Sequence, residues 1–373
     1  MKKIVKRCVG IISSLSYAVI ELHTHLSYRS QFKKYIIRNG FSLDKVKDED
    51  IYIEQWKGIS KLVEPYSYRY FRHYLDSPKD IVPEAVGRCI IERSLNNYKY
   101  TEAYADKNLF PEIVGRANVP RTIAARIMGG VIMDGDFKPL RNLNSLNCEA
   151  LILKPSTNGS SGIGVKKFTY RDGVYKSVDT NDVLDDKLLQ DFGDNFVLQA
   201  AIEQSDFMNR LCKTSVNTIR VATYRSVKTE RVHVLAAIVR VGKDGSYVDN
   251  AHAGGMFVGV NVTTGILAKR LYTQYGDESK QWNGVDYEKS EMQIPNWDKV
   301  IEFAEMVGRR LRHHRLVALD IALDSQQHPV LIEYNLRSYS YWLFMYTGQK
   351  PLGEYTDEIV EFCKKKKQKT IWF

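Results

Sequence analysis

The segment Leu319–Asn335, LDIALDSQQHPVLIEYN, permits few folds. Its apolar residues alternate and cluster on both sides of a polar turn at Ser325–His328, which predicts a hairpin of two buried strands. Asp320 falls in the first strand, Glu333 and Asn335 in the second. A period of two puts Glu333 and Asn335 on one face, and pairing across the hairpin can bring Asp320 beside them. Two carboxylates and an amide oxygen in a buried sheet are costly when uncompensated. A hard, oxygen-seeking cation such as Mg²⁺ removes that cost, so Asp320, Glu333 and Asn335 are candidate metal ligands.

A second feature is Lys154–Gly164, KPSTNGSSGIG, set between strands expected at Ala150–Lys154 and Val165–Tyr170. Gly159, Gly162 and Gly164 let the backbone turn tightly, and Ser156, Thr157, Asn158, Ser160 and Ser161 add polar donors. Such a loop can wrap phosphate oxygens, with Lys154 entering from the strand as a point charge. An ordinary hairpin turn is the alternative, but ten residues from Pro155 to Gly164 is long for one.

Arg220 sits between Ile219 and Val221 and faces away from both. On an exposed face it is a commonplace surface residue; facing a cleft, its fork suits a carboxylate or a transferring phosphoryl group. Arg337 is a second candidate. His252, within NAHAGG, is a candidate acid or base in a segment that is either a substrate loop or a bend. His313, His314 and His328 read as surface residues. Lysine, loop, arginine and carboxylate hairpin together point to ATP with Mg²⁺ and to electrostatic chemistry at a γ-phosphoryl group.

The remainder of the chain sets the architecture. Its 373 residues provide for two or three subdomains. Residues 1–75 read as helical, with the aromatics of 66–74 forming one apolar face. Ile81–Leu95 has helical spacing, Ala103–Phe110 a short helix, and strands follow near Thr122–Met133. From about residue 150 strands and glycine turns dominate: Asn195–Ile202, Thr218–Tyr224, Val232–Val241 and Met256–Val262, with helices at Asp182–Leu189, Trp297–His314 and Tyr355–Lys367. This is a mixed chain of helices and largely antiparallel sheets. It lacks both the GxGxxG and the GxxxxGK[ST] phosphate fingerprints. A net charge of +10 favours anionic partners. Lysines interleaved with aromatics in a long stripe are missing, so nucleic acid is not expected. Five scattered cysteines without a CxxC pair fit reduced thiols. Val9–Ile20, behind Lys2, Lys3, Lys6 and Arg7, is too short to span a bilayer. It reads as a helix on the protein body or on a membrane surface, and the Lys364–Lys367 block reads as a solvated helix end or a contact for anionic lipid.

Several blocks resemble the ATP-grasp superfamily, and most of all its sugar-transfer-associated branch. They are FRHYL, IVPEAVGRCIIERSLN, YADKNLF, ILKPSTNGSSGIGV, VNTIRVATYR, DNAHAGGMFVGV and LVALDIAL…LIEYN, over roughly residues 60–350. The resemblance implies an α+β ATP-grasp fold, with two mixed or antiparallel subdomains clasping ATP and an added N-terminal helical lobe. It divides the chain into a helical lobe (1–100), a small subdomain with the glycine loop (101–205), a catalytic subdomain (206–353) and a C-terminal helix with a basic tail (354–373). Lys107 and Lys154 look like nucleotide-contacting lysines, and Gly159–Gly164 like the loop over the phosphates. The strand around Gln199, Ala201 and Ile202 looks like the adenine hinge, with Glu203 toward the ribose. Asp320, Glu333 and Asn335 match the Mg²⁺ ligands, with two ions expected and Mn²⁺ a workable substitute.

The implied reaction makes an acyl phosphate from a carboxylate and ATP, then lets an amine attack and releases ADP and phosphate. Arg220, or else Arg337, would stabilise it. Two departures stand out: Ala318 replaces a common arginine two residues before the first metal aspartate, and Gln199 replaces a common acidic residue. The implied setting is the cytoplasm or the inner membrane face, during synthesis of a capsule or exopolysaccharide. The partners would be a carboxylate and an amine, such as an amino acid with a sugar acid, an amino sugar or a lipid-linked glycan. A kinase for a sugar or small carboxylate, and a non-catalytic nucleotide-binding scaffold, are the alternatives. Oligomeric state is left open.

Overall fold

The computed structural model describes residues 2–140, 148–157, 163–246, 249 and 254–369, with side chains between 17 and 366. Two antiparallel sheets carry the molecule. The smaller is formed by β1 (Thr122–Arg126), β2 (Met133–Asp134), β3 (Ala150–Pro155), β4 (Lys166–Arg171), β5 (Val174–Ser177) and β6 (Phe196–Ala200). Its strand order is β2-β1-β6-β3-β4-β5. Leu151, Leu153, Phe168, Phe196 and Leu198 pack on one side of it with Leu189, from the helix Asp186–Asp191.

The larger sheet begins with β7 (Thr218–Arg225), β8 (Val232–Val241), β9 (Met256–Val260), β10 (Leu267–Tyr272) and β11 (Glu278–Ser279). A separate small hairpin, β12 (Gln281–Trp282) with β13 (Val285–Asp286), precedes β14 (Leu316–Leu323) and β15 (Pro329–Asn335). The order is β11-β10-β9-β8-β7-β14-β15, so the hairpin anticipated from Leu319–Asn335 forms the end of the sheet, with β14 against β7.

The two faces of this sheet separate by strand alternation. Val317, Leu319, Ile321, Leu323, Ile219, Val221 and Val239 join one core with Val300, Phe303, Ala304 and Val307 of the helix Trp297–Arg310. The opposite face shares a second core, through Ala222, Tyr224, Ala236, Ile238 and Phe257, with the N-terminal helices. Those helices are Lys2–Arg38, Glu49–Lys57 and Tyr66–Phe71. The aromatic run anticipated at 66–74 supplies their contact: Phe71 lies 5.4 Å from Phe32 and 5.1 Å from Tyr346, ring centre to ring centre.

Five local expectations need correction. The helix expected at Ala103–Phe110 is broken at Asp106 into Thr101–Ala105, a turn at Lys107–Leu109 and Phe110–Val114, and the one expected at Asp182–Leu189 runs Asp186–Asp191. Ile81–Leu95 is not a regular helix: Glu84–Val86 and Glu92–Leu95 flank a π-helical turn at Gly87–Ile91. Gly87 has no side chain because a Cβ there would sit 2.3 Å from the Tyr341 ring. The helix from Trp297 stops at Arg310, four residues early, since the chain must turn into β14. His314, expected on the surface, is 1% exposed and lies 2.8 Å from the Thr101 hydroxyl. Burial, with His313 second, pulls its pKa down to about 4, so it is neutral. Cys89, Cys148, Cys212 and Cys363 form no disulfide among the described residues. Among the described residues no helix is long and apolar enough to cross a membrane.

Candidate active site

β14 and β15 pair with Asp320 directly opposite Glu333 and Ala318 opposite Asn335. Directly opposed residues share a face, so all three candidate metal ligands stand on one side. The register holds a feature that alternation alone could not supply. Ile321 pairs with Leu331, not Ile332, so Ile332 is an extra, bulged residue. The bulge reverses the alternation. It lets Leu331 stay in the helix-side core while Glu333, two residues on, faces the opposite way.

Arg220 lies across from Asp320 on the adjoining strand. Its Nε and Nη2 each donate to a carboxylate oxygen of Asp320 at 2.7 Å. Arg240 was not anticipated; its Nη1 reaches Asp320 Oδ2 at 3.2 Å and its Nη2 reaches Asp249 at 3.2 Å. The clue was available, since Arg240 stands between Val239 and Val241 as Arg220 stands between Ile219 and Val221. Asn335 Nδ2 adds a contact to Asp320 Oδ2 at 3.4 Å. Burial acts to raise the pKa of Asp320, but Arg220, then Arg240 and Asn335, overcome it and hold the carboxyl below its usual range. Asp249 is the reverse case: burial prevails over Arg240 and Thr218, and its pKa rises.

The opposite wall comes from the small sheet. Lys154, near the end of β3, is 9% exposed, and its ammonium makes no hydrogen bond or ion pair among the described residues. Burial, then the neighbouring Lys107, pulls its pKa down to about 8. Lys107 Nζ pairs with Glu333 at 3.3 Å, and its backbone N–H donates to the carbonyl of Ser156 at 2.9 Å. Ser156 is fully buried and does not line the cleft, and its hydroxyl has no partner among the described residues. Gly164, at φ +77°, ends the loop within contact of Pro155. Asn158, Gly159, Ser160, Ser161 and Gly162 lie outside the described residues, as does His252.

A cleft of about 790 Å³ joins these walls and is lined by Lys107, Lys154, Gln199, Ile202, Arg220, Arg240, Asp320, Glu333, Asn335 and Arg337. Ala201 and Glu203 do not line it. The Ala201 N–H is bonded to Ala150, and Glu203 is exposed where the chain has left β6. Gln199 is buried and donates to the Pro120 carbonyl at 3.3 Å. Arg337 is drawn outward, 2.7 Å from Glu102 and 5.0 Å from the centre of the Tyr98 ring. The arrangement therefore places Arg220, and not Arg337, against the carboxylates.

The donor set fits a hard divalent cation: a buried ionised carboxylate, a second carboxylate facing it and an amide oxygen. The two guanidinium groups on Asp320 already occupy its surroundings as positive charge. Among the described residues Oδ1 accepts a single hydrogen bond, from Arg220, and so keeps a lone pair.

A search of solved structures returns distant likenesses. The biotin carboxylase from Campylobacter jejuni aligns at TM-score 0.41 and 10% identity, over 73% of this chain and 48% of that one. The L-amino acid ligase from Bacillus licheniformis aligns at 0.35 and 13%, over 66% and 44%. The D-alanine–D-alanine ligase from Bacillus anthracis aligns at 0.37 and 13%, over 74% and 72%. The chain thus spans about half the length of the first two. No curated protein matches. Residues 90–359, from the π-helical turn to the last helix, match the sugar-transfer associated ATP-grasp family, and the chain belongs to it.

Proposed function

We propose that this protein is an ATP- and Mg²⁺-dependent ligase that joins a carboxylate to an amine and releases ADP and phosphate. The observation that carries the reading is one cleft with a bare buried lysine on one wall and a carboxylate–arginine cluster on the other. In the first step a substrate carboxylate oxygen attacks the γ-phosphorus, and the bond to ADP breaks. In the second an amine nitrogen attacks the acyl carbon, phosphate leaves with the bonding pair, and the nitrogen loses a proton. Lys154, Lys107 and the glycine loop bind the phosphates, and Gln199 and Ile202 border the base. Asp320, Glu333 and Asn335 hold Mg²⁺, two ions in the fullest arrangement, and Mn²⁺ is accepted by the same oxygens. Bound there, the ion neutralises developing phosphate charge. Arg220 stabilises the acyl phosphate by turning one of its two bonds from Asp320 to the phosphoryl oxygens, a role open to Arg240 as well.

The setting we infer is modification of a surface polysaccharide, with an amino acid joined to a sugar acid or amino sugar. The family description supports it, as does the basic character of both termini, which suits the cytoplasmic face of a membrane. Incubation with ATP, Mg²⁺ and paired acids and amines is the test. ADP release should depend on both substrates and should fall at least about a hundredfold in Glu333→Gln, with the circular dichroism spectrum unchanged. Release of AMP and pyrophosphate overturns the acyl-phosphate route. A stable phosphorylated product without an amide makes the protein a kinase.

A further inference from the structure

The cleft does not end at the carboxylate–arginine cluster. It continues beneath the N-terminal helix into an arm lined by Tyr28, Glu84, Arg88, Glu92, Trp342 and Tyr346. Glu84 is 4% exposed and Glu92 is 1% exposed. The two are eight residues apart across the π-helical turn, a distortion that recurs at functional sites. Glu84 accepts a hydrogen bond from the Trp342 backbone at 3.2 Å. Glu92 accepts a hydrogen bond from the Tyr339 backbone, and its Oε2 has no partner among the described residues. Neither carboxylate has an ion-pair partner within 4 Å among the described residues; Arg88 is exposed and hydrogen-bonds Tyr28 instead. Burial pushes Glu84 up to about 7 and raises Glu92 as well.

Buried carboxylates are costly, and Arg88, with Arg93 for Glu92, offsets that cost only in part, since burial still leaves both groups raised. The rings of Tyr28, Trp342 and Tyr346 in the same arm add faces that attract cations. We propose that this arm is the subsite for an ammonium-bearing second substrate, whose charged nitrogen binds Glu92 and Glu84 while its skeleton lies against the aromatic rings. The proposal deepens the ligase reading and rests on it for the identity of that substrate as the amine partner.

The test is calorimetric titration of the full chain, in the presence of a non-hydrolysable ATP analogue. The probes are D-glucosamine, L-lysine, L-ornithine and ethanolamine, each against its N-acetylated counterpart. At least one free amine should bind more tightly than its acetylated form, and Glu92→Gln should weaken that binding about tenfold or more. Glu84→Gln should act in the same direction, and in both variants binding of the ATP analogue should be retained, which shows that they fold. The subsite is overturned if no amine is preferred over its acetylated form, or if neither variant alters the preference. Selective amine binding without amide formation would leave the subsite standing and remove the ligase reading. Amide formation with an unchanged amine KM in Glu92→Gln would do the opposite.

Discussion

The two walls of the cleft bury opposite charges and compensate them in opposite ways. On the large sheet Asp320 receives two arginines and an amide. On the small sheet Lys154 is also buried but makes no ion pair among the described residues, the nearby Glu333 being paired with Lys107. The difference lies in what each wall lacks. The lysine wall lacks an anion, the role given to the nucleotide phosphates in the proposed function. The aspartate wall is already balanced by Arg220 and Arg240. One wall is built to be stable without a ligand, the other is completed by one.

The largest effect should come from breaking the compensated wall. Asp320→Asn leaves Arg220 buried without its carboxylate, while Arg240 keeps only Asp249, at a cost of about 3–5 kcal/mol in denaturant unfolding. Unchanged stability would mean that the cluster is solvated and the contrast is wrong. Lys154→Met should do the reverse. Removing an uncompensated buried charge leaves stability equal or higher, while affinity for an ATP analogue falls roughly 30-fold, about 2 kcal/mol.

The same lysine sharpens the comparison through pH. Its pKa in the fold is about 8 against an ordinary 10.5, so the unfolded chain binds more protons between those values. Stability of the nucleotide-free protein should therefore rise with pH across that window. Phosphate binding favours the protonated lysine, so nucleotide binding near pH 8 should take up a proton, read from calorimetric enthalpies in buffers of different ionisation heat. Affinity should fall above about pH 8, by at most about tenfold per unit. Lys154→Met should abolish this dependence. The smallest effect is expected at Arg337, half-exposed and paired with exposed Glu102. Arg337→Gln should cost less than about 1 kcal/mol of stability, and it should reduce turnover less than Arg220→Gln does.

Much of the site was legible because strands repeat every two residues. That period put Asp320, Glu333 and Asn335 together and turned Arg220 away from Ile219 and Val221. It would have found Arg240 too, had the same pattern in β8 been followed. Three things were not legible. The bulge at Ile332 depends on Leu331 reaching a core filled by a helix from elsewhere in the chain. The π turn at Gly87–Ile91 depends on Tyr341, more than 250 residues away, filling the space beside Gly87. The burial of His314 depends on Thr101 and the turn into β14.

By itself, then, the sequence determined which residues alternate, which loop is rich in small donors, and which charges sit among apolar neighbours. These are properties of a few consecutive residues and survive without knowledge of the rest. Only the tertiary structure decided which arginine meets the carboxylates, which lysine is left bare, and where the cleft extends. Those outcomes are set by contacts between distant segments and by how much water each charge retains, and neither can be read from local order.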